Sequence, residues 1–152
     1  MSKVSVRPLE AGDREQWAKL FQGYLDFYKS PGLADEVWES TWERLLTPDE
    51  DPSGFVAVGE AKDGESSLVG LTHYTFHRST WAIAPYCYLE DLFVDPNVRG
   101  TGAGRLLIEA VYEAADKRDA ARVYWATQHY NAAARKLYDR IATLSDFIQY
   151  RR

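Results

Sequence analysis

The segment VDPNVRGTGAGRLLIEAV, residues 94–111, constrains the fold more than any other part of the chain. Three glycines at alternate positions, Gly100, Gly102 and Gly104, stand between the apolar run YCYLEDLFV and a leucine-rich helical run. The run RVYWATQ follows that helix and is rich in branched and aromatic residues, as strands are. A strand, helix, strand unit of this length implies a parallel crossover. A helix N-terminus leaves its first N–H groups unpaired and carries partial positive charge, so it attracts phosphate. Glycines remove Cβ atoms that would block the approach and permit positive φ, and Arg99 and Arg105 can add charge-assisted bonds. The plainer reading is a tight strand-to-helix turn without a ligand. Two familiar phosphate loops do not fit. The dinucleotide fingerprint needs its third glycine one residue later, and the nucleotide-triphosphate loop needs Gly-Lys-Ser/Thr where this chain has Gly104-Arg105-Leu106.

The remaining elements build a mixed α/β order around that unit. Lys3 to Pro8 alternates as a short strand, and Gly12-Asp13 opens a helix whose stripe is Trp17, Leu20, Phe21, Tyr24, Leu25 and Tyr28. Trp38, Trp42 and Leu45 repeat the spacing in a second helix that Pro48 stops. FVAVGEA and SLVGLTHYTF, parted by Asp63-Gly64, read as a hairpin, and Pro85 precedes the next strand. Leu107, Ala110, Val111 and Ala114 form the stripe of the helix behind the glycines. Asn131 opens a further helix with Ala134, Leu137, Tyr138 and Ile141 on one side, and DFIQYRR closes as a last strand. The expectation is one domain over 1–152: a central, mostly antiparallel sheet of six to seven strands with a parallel splayed pair, and about four helices on both faces. At 152 residues and 45% apolar content the chain can fill such a core. The N-terminus MSKVSVRPLE has no apolar stretch suited to a signal or a membrane span, so a cytoplasmic protein without membrane partners is expected. One cysteine and three scattered histidines predict no metal, and a net charge of −5 speaks against nucleic acid as a partner.

The glycine loop resembles the acetyl-CoA loop of the GNAT acetyltransferase superfamily, Gln/Arg-x-x-Gly-x-Gly/Ala, in which Arg99, Gly102 and Gly104 match. LEDLFVDP is similar to that superfamily's fourth strand, and N-x-x-A-x-x-L-Y at Asn131 to Tyr138 to its second cofactor motif. VGLTHYTFHRSTW, VYWAT and the closing YRR most resemble the yeast histone and polyamine acetyltransferases, and YLEDLFV the diamine acetyltransferases. One departure is visible: the helix after the second motif runs on as DRIATLSDF, without the family's Gly-Phe turn.

The resemblance implies direct transfer of an acetyl group from acetyl-CoA to a primary amine, with a homodimer as the family-based expectation. Leu92, Phe93 and Val94 would meet the pantetheine arm between splayed strands, and a backbone N–H near Phe93 would polarise the thioester carbonyl. Residues 99–105, namely Arg99, Gly100, Thr101, Gly102, Ala103, Gly104 and Arg105, would hold the pyrophosphate. Asn131 and Ala134 belong to the second motif, where Asn131 either caps its helix or bonds the arm. An ammonium must lose a proton before it attacks, and the diamine acetyltransferases place their base at the position of Glu90. Glu90 and Asp91 are neighbours in a strand, so they are expected on opposite faces, with one looking into the cleft. Tyr138 matches the donor that protonates departing thiolate, although its spacing also suits core packing. Cys87 is a packed core residue. Seven acids against Arg44 alone between Ser30 and Ser53 read as a solvated face or as a rim for a cationic amine, with Tyr24, Tyr28, Trp38 and Asp91 as candidate acceptor contacts. His73 and His77 receive no role beyond the sheet. The rival reading is a noncatalytic acetyl-CoA binding module.

Overall fold

In a computed structural model describing residues 3–98 and 100–152, five strands form one sheet in chain order. The strands are β1 Lys3–Pro8, β2 Ser53–Glu60, β3 Ser66–Ser79, β4 Ala82–Val94 and β5 Arg122–Tyr124. Each pairs antiparallel with the next until β5, which lies parallel to β4. The helix between them, α3, is the crossover that this arrangement requires. The helices are α1 Arg14–Phe27, α2 Asp35–Leu45, α3 Ala103–Lys117 and α4 Ala132–Ile141, and a 3-10 turn at Ala11–Asp13 leads into α1.

Alternation along the strands sorts the core into two faces. On one face Trp17, Leu20, Phe21 and Leu25 of α1 and Trp42 of α2 bury against Val56 and Leu71. On the other, Leu107, Ile108, Val111 and Ala115 of α3 bury against Ala57, Val69, Cys87 and Leu89. The stripe of α3 therefore runs through Ala103, Ile108 and Ala115 rather than Ala110 and Ala114, which are only partly covered. Leu137, Tyr138 and Ile141 of α4 pack on the same face as α3. Arg7 grips the buried Asp13 carboxylate through two bonds of 2.7 and 2.9 Å, tying the end of β1 to the start of α1.

Four expectations about the strands are corrected. The sheet has five strands among the described residues, not six to seven. RVYWATQ pairs only over Arg122–Tyr124, because Trp125 leaves the ladder to pack edge-on against Tyr138, 5.4 Å between ring centres. DFIQYRR forms no strand. Ala142 is extended rather than left-handed, so the chain makes no glycine-type turn back to the sheet, and Leu144, Phe147, Ile148 and Tyr150 are all more than 70% exposed. Pro85 lies inside β4 rather than before it, where the β3 ladder is broken between His77 and Ser79.

Candidate active site

A gap in the sheet organises the site. β4 and β5 pair through Tyr86, Cys87 and Tyr88 opposite Arg122, Val123 and Tyr124, and then part. From Leu89 onward β4 keeps β3 on one side, while its other edge has no β5 partner. The edge of Leu92, Phe93 and Val94 on that side has no pairing with β5. α3 begins just beyond Val94. Its N-cap, Gly102, has φ +74° and offers no side chain to the first turn, so the N–H groups of Ala103, Gly104 and Arg105 lack caps. Gly100 has φ +71°. The left-handed angle is thus required at Gly100 and Gly102 but not at Gly104, which is helical. A Cβ on Gly104 would lie 3.7 Å from Leu137 and 3.8 Å from Val94, ordinary contact distances. Thr101 completes the loop. Arg105 pairs with Glu109 at 2.8 Å, and Arg99 lies outside the described residues. Uncapped N–H groups and left-handed glycines together suit a phosphate group.

At the head of the gap two carboxylates share one face. His73 pairs with Asp91 and Tyr74 with Leu89, which leaves Glu90 as the extra residue of a β-bulge. Two residues of a bulged strand oppose one on its partner, so strict alternation fails there. Leu89 and Leu92 both turn to the α3 face, and Glu90 and Asp91 between them both turn to the α1 face. The expectation of opposite faces is thereby overturned. Glu90 is exposed, and its pKa is raised by desolvation and by the charge of Asp91, while a hydrogen bond from Tyr88 opposes the rise. Asp91 bonds to His73 Nδ1 at 2.8 Å and is approached by the Tyr24 hydroxyl, whose pKa burial and Asp91 drive upward. Thr72 Oγ1 donates to the Asp91 carbonyl at 2.8 Å. Beyond Glu90 the face continues as an aromatic shelf of Tyr88 and Tyr124, 4.9 Å between ring centres, with Tyr86 and His77. Tyr124 also bonds to His77 Nε2 at 2.6 Å.

The other candidates divide. The rings of Tyr24 and Tyr28 lie 4.9 Å apart between centres, tilted by 51°, at the end of α1, and Tyr28 comes close enough to Tyr138 to influence it. Burial pushes the Tyr138 phenol up to about 12, so it keeps its proton at neutral pH. Trp38 sits edge-on to Trp17 and Phe21 at the rim of the core. Asn131 stands at the N-cap of α4 but does not cap it; its side-chain amide donates to Thr127 at 3.3 Å, and Ala134 lies a turn further on. Cys87 is fully buried on the α3 face, and burial pushes its thiol up to about 11, far from thiolate chemistry. The acidic stretch is split: Glu39 pairs with Arg14 on the outside of α2, whereas Asp49, Glu50 and Asp51 line a 1080 Å³ cleft against α3, on the face opposite Glu90. Among the described residues no cluster of three His, Cys, Asp or Glu could hold a metal, and no helix is long and apolar enough to cross a membrane.

Sequence reasoning passed over Trp17, His73 and Tyr88. Tyr88 carried a usable signal, since it stands two residues from Glu90 in a strand and must share its face. His73 carried a weaker one, as a polar residue among strand positions that must be buried.

The chain matches the Acetyltransferase (GNAT) family over residues 17–142. It is 35% identical to a D-amino-acid N-acetyltransferase of Saccharomyces cerevisiae, over 99% of this chain and 91% of that one. It is 32% identical to a thialysine N-epsilon-acetyltransferase of Bos taurus, over 91% and 82%. Among solved structures it superposes on AAC(6')-Iy in complex with the bisubstrate analog CoA-S-monomethyl-acetylneamine, with a TM-score of 0.80 at 21% identity over 99% of this chain and 98% of that one, a likeness of fold. The splayed sheet, the uncapped helix behind its glycines and these relatives agree: the chain belongs to the GNAT family and is an N-acetyltransferase.

Proposed function

We propose that this enzyme moves an acetyl group from acetyl-CoA directly to a primary amine carried by a small cationic molecule or a basic side chain. The observation that carries the reading is the bulge that sets Glu90 and Asp91 side by side at the head of the β4–β5 gap. Acetyl-CoA supplies the activated acyl group. Its pyrophosphate fits the N–H groups of Ala103, Gly104 and Arg105, with Gly100 to Gly102 shaping the turn. The arm fits the free edge of Leu92, Phe93 and Val94, with Asn131 and Ala134 facing it from the second motif.

An alkyl ammonium with pKa near ~10.4 is almost wholly protonated at neutral pH. Glu90, whose own pKa is raised, is a better base than an ordinary carboxylate and is exposed enough to receive the proton. Asp91, Tyr24, Tyr28 and the aromatic shelf offer charge and ring faces to the cation, and Trp38 packs against Phe21, which lies behind Tyr24. Tyr138 holds a proton for the departing thiolate. The names of the relatives, a D-amino-acid and a thialysine N-epsilon-acetyltransferase, support an acceptor amine on an amino-acid-like molecule. The exposed apolar tail, residues 144–152, together with the open outer edge of β5, supports a homodimer in which the tail is covered.

The test follows release of free thiol from acetyl-CoA with putrescine, spermidine, L-lysine, thialysine, D-amino acids and a basic peptide. Turnover that depends on an amine supports the reading. Tight CoA binding without turnover on any acceptor would instead establish a noncatalytic acetyl-CoA binding module.

A further inference from the structure

His73 is the deepest polar side chain on the α1 face, with its side chain 2% exposed, and it touches two groups of opposite demand. Trp17 Nε1 lies 2.9 Å from His73 Nε2, and Asp91 Oδ2 lies 2.8 Å from His73 Nδ1. An indole N–H only donates, so His73 Nε2 must present its lone pair. The proton is then on Nδ1, aimed at the Asp91 carboxylate. A second proton on Nε2 would set two N–H groups head-on across 2.9 Å inside a packed aromatic cluster of Trp17, Phe21 and Trp38. The chain Trp17, His73, Asp91 therefore runs in one direction, from the core to the edge of the cleft, where the Asp91 side chain remains 14% exposed.

Resting on the acceptor reading above, we infer that His73, locked by Trp17 as the neutral Nδ1–H tautomer, is the positioning residue that fixes the Asp91 carboxylate beside Glu90, so that Asp91 anchors the acceptor ammonium while Glu90 takes its proton. Thr72 holds the Asp91 backbone and Tyr24 approaches its side chain, so three donors from two elements set one orientation. The groups facing Glu90 are Tyr24 of α1, His73 of β3, Tyr88 and Asp91 of β4 and Tyr124 of β5. Among them the carboxylate of Asp91 supplies the charge that, after burial, raises Glu90. A histidine present only to fill the core would give stability and nothing else. A positioning histidine gives a division of labour between two adjacent acids.

The experiment has two arms. Nitrogen-15 NMR of the wild-type protein, with and without CoA, reads the tautomer of His73 without any turnover. The expected spectrum has Nδ1 protonated and Nε2 bare, and in a Trp17→Phe variant the Nε2 signal moves because its donor is gone. Kinetics of His73→Leu should show KM for the best amine of the panel raised about tenfold or more, with KM for acetyl-CoA within twofold. The acid limb of kcat/KM should move to lower pH, since burial is the first cause that lifts Glu90 and the Asp91 charge, the second, is no longer held beside it. His73→Gln, which can donate to Asp91 and accept from Trp17, should recover most of the KM. If no amine turns over, calorimetric titration with putrescine takes the place of KM, so failure of the acceptor reading is separable from failure of the relay. An Nε2–H tautomer in the wild type overturns the inference. So does a folded His73→Leu variant with unchanged amine KM, or unchanged putrescine affinity, and an unshifted acid limb.

Discussion

Replacing Gly102 and Gly104 one at a time by alanine separates backbone geometry from phosphate approach. Gly102 sits at φ +74°, with nothing within 4 Å of where a Cβ would stand, so alanine meets no clash there, only the left-handed angle. That angle costs an L-residue about 1–2 kcal/mol. For a chain of this length each kcal/mol lowers Tm by roughly 2–4 °C, so Gly102→Ala should melt about 2–8 °C lower. Because Leu107, Ile108 and Val111 anchor α3 in the core, the strain will be relieved in the loop rather than the helix. The first-turn N–H groups then lose their common aim, and CoA affinity should fall about tenfold or more. Gly104 has an ordinary helical angle and room for one methyl against Leu137 and Val94. Gly104→Ala should therefore gain up to about 1 kcal/mol of helix propensity and keep CoA affinity within about threefold. Thermal melting and calorimetric titration with CoA read both variants. If Gly102→Ala binds CoA as the parent does, or if Gly104→Ala loses as much affinity as Gly102→Ala, the loop does not hold phosphate through a left-handed backbone and the reasoning fails.

Glu90→Gln should lower kcat by about 10²–10⁴-fold and remove the acidic limb of the rate profile, which for the parent lies above the ordinary carboxylate range because the pKa of Glu90 is raised. A carboxyl whose pKa is raised on folding stabilises the fold below its unfolded pKa and loses that contribution as pH rises through the folded value, so the same variant should melt no lower than the parent at pH 7 and nearer to parity at pH 4. Tyr138→Phe should slow the chemical step with CoA affinity nearly unchanged; full kcat with a good acceptor, under conditions where chemistry limits the rate, would reduce Tyr138 to core packing. Asp13→Asn breaks the paired bonds to Arg7 and should cost about 2–3 kcal/mol by urea unfolding at pH 7, below the ~3–5 expected of a fully buried pair because the Arg7 side chain is 34% exposed. The folded pKa of Asp13 is lowered, so its contribution is present above the unfolded value and is lost as pH falls through the folded one; the parent and Asp13→Asn should converge in acid, and a constant difference down to pH 2 would assign the loss to another cause.

The period of apolar residues, the turn residues and the glycine loop were enough to order the elements, because each is a property of neighbours in the chain. The crossover from β4 through α3 to β5, the stripe of α1 and the buried, inert Cys87 all follow from such local pattern and from elementary chirality. What the sequence could not decide depends on register between segments far apart. Whether Glu90 and Asp91 face apart or together is set by one unpaired residue in the β3–β4 ladder, and nothing within LED announces where the bulge falls. Gly102 and Gly104 look alike in the text; only the path of the chain into α3 makes one left-handed and the other helical. The seven acids of residues 30–53 form one run in sequence, yet the sheet between them sends some to the outside of α2 and others to the far cleft. RVYWATQ and DFIQYRR have the composition of strands, but a strand also needs a free edge within reach, and Trp125 turns toward Tyr138 while Ala142 makes no return turn. His73 is the clearest case. A lone histidine in an apolar strand signals in sequence only that it needs a partner, and it gains meaning where folding brings Trp17, 56 residues earlier, and Asp91, 18 residues later, to its two nitrogens.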